Sequence, residues 1–255
     1  MRYGLCTTPE NFAFAKECGY DFVEMPLYIL QDMSNEDFDT ICKTCKENDI
    51  NVETVNILFS GITLLDENAA TEQELREYLS FVLARAKKLG TEIAVFGSGG
   101  ARRRPDNMDD TTAMQKLADA VKIVCEEANN HGITVAFEPL CKNDANFIFT
   151  LNEASKLLDM VSASNLGCTA DTYHILVEEN SFESITKYAD VIKHVHIACT
   201  TERFAPRTEH AAELTEINTV LKQIGYNGRI CVECRFRDFE AEAVDTIKAI
   251  KKYII

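Results

Sequence analysis

Short apolar runs alternate with longer segments of helical period along nearly the whole chain. Eight runs read as strands, at residues 3–6, 22–25, 52–55, 93–96, 134–138, 166–170, 192–197 and 230–233. Eight helical patterns follow them in turn, at 9–18, 35–48, 72–89, 111–131, 151–161, 182–188, 213–224 and 239–253. Local signals mark the helix ends. Ser34 followed by Asp37 resembles a capping box with a shortened acid. Thr71 precedes Glu72-Gln73-Glu74, an N-cap and then acids that suit the positive end of a helix dipole. Lys87-Lys88-Leu89-Gly90 ends that helix with cations and a glycine. The stretches 17–20, 88–91 and 223–226 repeat one connection, helix to glycine to strand. Eight strand-then-helix units predict an α/β fold, a (β/α)8 TIM barrel. No Pro-, Gly- or Ser-rich linker divides residues 1–255, so a single domain is expected.

Charge narrows the partners. The formal net charge is −15, which repels nucleic-acid backbones and anionic membrane surfaces. No apolar run is long enough to span a membrane, and the first residues lack a signal-peptide core. A cytoplasmic location is expected, with the ten cysteines reduced. The pairs Cys42/Cys45 and Cys231/Cys234 have Cys-x-x-Cys spacing, but read better as small buried apolar residues than as zinc or redox sites.

Four strand ends carry the chemistry. Glu138, Asp171, His196 and Glu233 each close, or directly follow, an apolar run. Strand alternation turns the larger apolar neighbours Val135, Phe137, Val195, Ile197 and Val232 towards the helices and these polar tips towards one mouth. That mouth is where active sites of parallel barrels are built. Three carboxylates and one imidazole suit a single divalent ion: manganese (favoured), magnesium, cobalt or zinc. The competing explanation is a set of buried ion pairs. The absence of Arg and Lys from the inward positions of these strands weakens it.

With these residues in place, the chain resembles the xylose-isomerase-like barrels, in particular the sugar phosphate isomerase/epimerase group and, within it, the ketose 3-epimerases. The resemblance implies metal ligands at Glu138, Asp171, His196 and Glu233. It also implies a substrate contact at His174, three residues after Asp171, with His194 lying a layer deeper as a structural residue. An acid expected six residues after the first metal ligand is the shorter Asp144. An arginine expected soon after the metal histidine is Arg203, with Arg207 as the alternative. Homo-oligomers are common in that family.

The implied chemistry is proton abstraction beside a metal-bound carbonyl, through an enediolate, with Glu138 and Glu233 as the acid/base pair. The expected substrate is a small carbohydrate. The loop from Gly97 to Pro105 contains Arg102-Arg103-Arg104, which raises a phosphorylated or acidic substrate, with Arg102 as its preferred contact. Glu24 is expected to touch substrate or to hold His174 or Lys142. Lys142, Phe147, Phe149 and Tyr173 are weaker candidates for the pocket wall. Glu53 and Asn56 face opposite ways unless the third strand is irregular. A lyase of the inosose-dehydratase kind would use the same ligands. A DNA-repair endonuclease with three zinc ions would need more than the five histidines present and a basic face.

Overall fold

A computed structural model describes residues 1–255. Eight parallel strands close into a barrel in sequence order: β1 (Arg2–Cys6), β2 (Phe22–Pro26), β3 (Val52–Asn56), β4 (Ile93–Phe96), β5 (Thr134–Phe137), β6 (Leu166–Asp171), β7 (Ile192–Ile197) and β8 (Arg229–Val232). Each expected strand is present to within one residue at either end. The fold is a (β/α)8 TIM barrel.

The outer layer is α1 (Phe12–Cys18), α2 (Asn35–Glu47), α3 (Glu72–Lys88), α4 (Asp110–Asn130), α5 (Leu151–Val161), α6 (Thr172–Glu179), α7 (Glu183–Lys187), α8 (Ala211–Gln223) and α9 (Phe239–Tyr253). Thr71 and Glu74 form both arms of a capping box, and Ser34 accepts from the Asp37 amide. Such caps contribute about 1 kcal/mol each. Gly19, Gly90 and Gly225 all take positive φ, so the three repeated connections share one left-handed turn. One continuous apolar core fills the space between barrel and helices. No helix is long and apolar enough to cross a membrane.

Two elements depart from expectation. The sixth unit has two short helices, and residues 182–188 cover only the second. The first, α6, starts on the residue that ends β6: Asp171 is its N-cap, and no loop separates strand from helix. Strand β3 is irregular. Its register with β2 runs from Val23↔Val52 to Glu24↔Thr54 and skips Glu53. Glu53 and Asn56 therefore reach opposite ends of the barrel. Glu53 meets Arg2 and Arg229 near the strand starts, and Asn56 lines a cavity at the strand ends.

Candidate metal centre

Strands β5 to β8 deliver the four predicted ligands to one point. Ligand atoms of Glu138, Asp171, His196 and Glu233 all lie within 4.8 Å of one another. The hub is His196 Nδ1. It lies 2.8 Å from Glu138 Oε1, 3.1 Å from Glu233 Oε2 and 3.8 Å from Asp171 Oδ2.

Local structure aims each group. Asp171 Oδ1 accepts the amides of Tyr173 (2.7 Å) and His174 (3.1 Å) at the start of α6. That leaves Oδ2 to face the centre. Glu138 lies against Gly97, where an added Cβ would overlap Oε2. The glycine after β4 is thus the space the carboxylate occupies. His174 Nδ1 accepts the Cys141 amide at 3.1 Å. Its proton therefore sits on Nε2, 3.9 Å from Asp171 Oδ2. Burial lowers the His174 pKa, but Asp171 and its neighbours outweigh burial and pull it to about 9. The Cys141 amide opposes that second proton, because it needs a lone pair on Nδ1. A cation at the centre would cancel the same carboxylate field and favour the neutral ring.

The two glutamates are pushed apart. Burial raises the Glu138 pKa, and the Glu233 and Asp171 charges add to this against the pull of His196. Burial acts the same way on Glu233, but His196 and Arg203 outweigh it and hold that carboxyl well below its usual range. Arg203 comes from the loop after β7, at a positive φ of 61°. Its guanidinium bonds Glu233 Oε2, lies 3.5 Å from Asp171 Oδ2, and sits over the Tyr173 ring. One cation does reach the cluster, but from a loop rather than from a strand.

Above the centre lies a cavity of about 260 Å³. Glu138, Glu233, His174, Arg203 and Asp144 line it, and Asn56, Ile57, Phe59, Leu140 and the backbone turn 97–100 complete the wall. A larger depression of about 490 Å³ near Thr150 and Lys187 gathers no ligand cluster.

The donor set fits a divalent ion. Three carboxylates converge on one imidazole nitrogen with a single guanidinium to offset them, and hard oxygen donors with one nitrogen suit a divalent cation.

Several other sequence candidates fall elsewhere. Arg102 is fully buried. Its guanidinium donates to the backbone carbonyls of Phe147, Ile148 and Glu138 and stacks on Phe137. It ties the loop after β4 to the loop after β5 and, with no exposed surface and no place in the cavity wall, does not meet an anion there. Glu24 is fully buried below the cavity and holds neither His174 nor Lys142. Its Oε2 lies 3.0 Å from His194 Nε2, and its Oε1 lies 2.9 Å from His196 Nε2. Asp144 reaches the cavity rim, with Oδ2 3.9 Å from His174 Nδ1. Arg207 pairs with Glu209 and Glu242, and Lys142 pairs with Glu178. All ten cysteines are free, and neither Cys-x-x-Cys pair appears in a metal-ligand cluster. Asn56 is the residue that sequence reasoning left undecided. Its Nδ2 donates to Glu233 Oε1 at 3.3 Å.

Residues 12–253 match the xylose isomerase-like TIM barrel family. The chain belongs to that family. It is 24% identical over 228 residues to D-psicose 3-epimerase of Agrobacterium fabrum, covering 84% of this chain and 75% of the relative. It is 23% identical over 236 residues to 3-dehydro-D-guloside 4-epimerase of Escherichia coli, covering 89% and 87%. The crystal structure of a D-psicose 3-epimerase in the presence of D-fructose superposes with a TM-score of 0.81 at 19% identity, covering 100% and 96% of the two chains. These relatives are sugar epimerases, a class of isomerase.

Proposed function

We propose that this protein is a divalent-metal-dependent sugar epimerase that works by removing and returning a proton beside a carbonyl. The observation that carries the reading is the convergence of Glu138, Asp171, His196 and Glu233 on one point beside a cavity. Glu138 and Glu233 line that cavity and supply the two carboxyls that removal and return of a proton require. One takes the proton and the other returns one. They directly follow β5 and β8, which are separated around the barrel, so they address a bound sugar from different sides.

A divalent ion held by Glu138, Asp171, His196 and Glu233 would polarise the substrate carbonyl and acidify the neighbouring C–H. Arg203 orients Glu233, and Asn56 donates to that carboxylate's other oxygen. His174 offers its Nε2 proton, and Asp144 an acceptor at the rim, to sugar hydroxyls. Ile57, Phe59 and Leu140 give the sugar an apolar wall. The substrate is an uncharged sugar rather than a sugar phosphate. Arg203 is the one Arg or Lys lining the cavity and is committed to carboxylates, while Arg102 is spent on backbone.

The test is incubation with Mn²⁺ in heavy water against ketoses, ketose phosphates and inososes. Deuterium at C3 with inversion there is the expected result for a free ketose. Label at C1 or C2, or an eliminated product, replaces the epimerase reading with an isomerase or a lyase. Turnover of the phosphates alone overturns the substrate class.

A further inference from the structure

Beneath the metal centre a carboxylate is buried that the proposed chemistry does not use. Glu24 comes from β2, has no exposed surface, and does not line the cavity. Burying a carboxylate is expensive unless its partners are specific. Its partners here are two imidazoles and a thiol. Oε2 takes His194 Nε2 at 3.0 Å, and Cys6 Sγ donates to Oε1 at 3.1 Å. The same Oε1 lies 2.9 Å from His196 Nε2, in a contact bent away from the ring N–H direction. His196 Nε2 has no hydrogen-bond partner in the protein, while Nδ1 bonds Glu138 Oε1 at 2.8 Å; a metal at the centre would take the place of the Nδ1 proton and leave the ring's proton on Nε2, beside Glu24.

An imidazole that ligates a metal through one nitrogen has its orientation and tautomer set by what the other nitrogen meets. For His196 the nitrogen facing the carboxylate cluster is Nδ1, and the nitrogen facing Glu24 is Nε2. We propose that Glu24 is the positioning residue of the metal centre. Anchored by His194 and Cys6, it holds the His196 proton on Nε2 and presents Nδ1 to the cation. This rests on the metal reading given under Proposed function. The His194 ring stands edge-on to His196, at 4.8 Å between centroids and 85° between planes, and braces it in that orientation.

The isosteric change Glu24→Gln separates positioning from packing. The amide fills the same space, but one of its two acceptors becomes a donor, so it cannot accept from both rings. Mn²⁺ is titrated calorimetrically into the metal-free protein, and thermal unfolding of the metal-free forms is measured alongside. Glu53→Gln serves as the control, since it breaks a buried carboxylate of the same barrel at the opposite end. Glu24→Gln is expected to weaken Mn²⁺ binding about 10- to 100-fold. Glu53→Gln is expected to lower the melting temperature and keep the wild-type affinity. If Glu24→Gln does not fold, Glu24→Asp takes its place: it keeps the charge, withdraws it by one methylene, and is expected to weaken binding in the same direction. A folded Glu24 variant that binds Mn²⁺ as tightly as wild type overturns the positioning role alone. Wild-type protein that binds no divalent cation overturns the metal reading instead.

Discussion

Both ends of the barrel bury glutamates and balance their charge differently. Near the strand starts, Glu53 is served by two guanidiniums. Arg229 Nε lies 2.6 Å from Oε2, Arg2 Nε lies 3.1 Å from the same oxygen, and Arg2 also bonds Oε1. Arg229 then reaches out to Glu92 at 2.8 Å. At the strand ends, Glu138, Asp171 and Glu233 crowd one imidazole nitrogen, and one arginine reaches only Asp171 and Glu233, with Glu24 behind them. The lower end has a full set of partners. The upper end is short of positive charge. Buried charge with a complete set of partners is architecture, whereas a deficit around converging lone pairs is a place for a cation.

The largest effect should come from the upper end. Glu233→Gln or Glu138→Gln is expected to lower kcat by about 10²- to 10⁴-fold, the range for a lost general acid or base. The metal-free melting temperature should hold or rise for Glu138→Gln, because a buried charge among carboxylates is gone, and fall for Glu233→Gln, which strips Arg203 of its partner. Sugar turnover and a thermal scan on the same sample check both halves. The mirror experiment at the lower end is Glu53→Gln, which leaves two guanidiniums without their buried partner. Arg2 is half-exposed and Arg229 keeps Glu92, so the loss should cost about 1–3 kcal/mol of stability in a urea titration. Turnover by the folded protein should be unchanged. If Glu53→Gln instead abolished turnover without destabilising the fold, the contrast between the two ends would collapse.

That contrast was only half legible in the sequence. The upper ligands could be read because a strand has a two-residue period and each ligand closes an apolar run; Glu138, Asp171, His196 and Glu233 converge as that pattern implies. The barrel followed from the same alternation. Depth was not legible. Glu24 is expected from the sequence to touch substrate or to hold His174 or Lys142, but how far it sits below the cavity depends on the stagger of neighbouring strands. Loop direction was not legible either. Arg102 follows three glycines in the manner of an anion loop, yet the loop turns its guanidinium inwards onto carbonyls of the next loop. The irregular register at Glu53 leaves no local signature, since it arises from pairing with β2. Helix α6 was missed because Asp171 both ends a strand and caps a helix, so no turn residues separate the two patterns.

Gly97→Ala sharpens the upper half of the comparison without removing any charge. The added Cβ would occupy the position of Glu138 Oε2, so the carboxylate must move. A displacement on the order of 1 Å at a reacting group costs about 100-fold in rate. The expected outcome is a kcat loss of that size with all four ligands still present. A Gly97→Ala protein with wild-type kcat would show that the Glu138 position is not critical.

The smallest effect tests the lower half from its rim. Glu92 is the outermost member of that network, more than half exposed, with its carboxylate 2.8 Å from Arg229 Nη2. Water already solvates it well and salt screens it, so the pair contributes about 0–1 kcal/mol. Glu92→Gln should therefore shift the urea midpoint slightly or not at all, with turnover and Mn²⁺ affinity as in wild type. Arg229 keeps its inner contact with Glu53, and that contact does the structural work. Should Glu92→Gln cost as much as Glu53→Gln, the network would act as one unit reaching to the surface. The lower end would then owe its stability to the whole chain of charges rather than to the one carboxylate that water cannot reach.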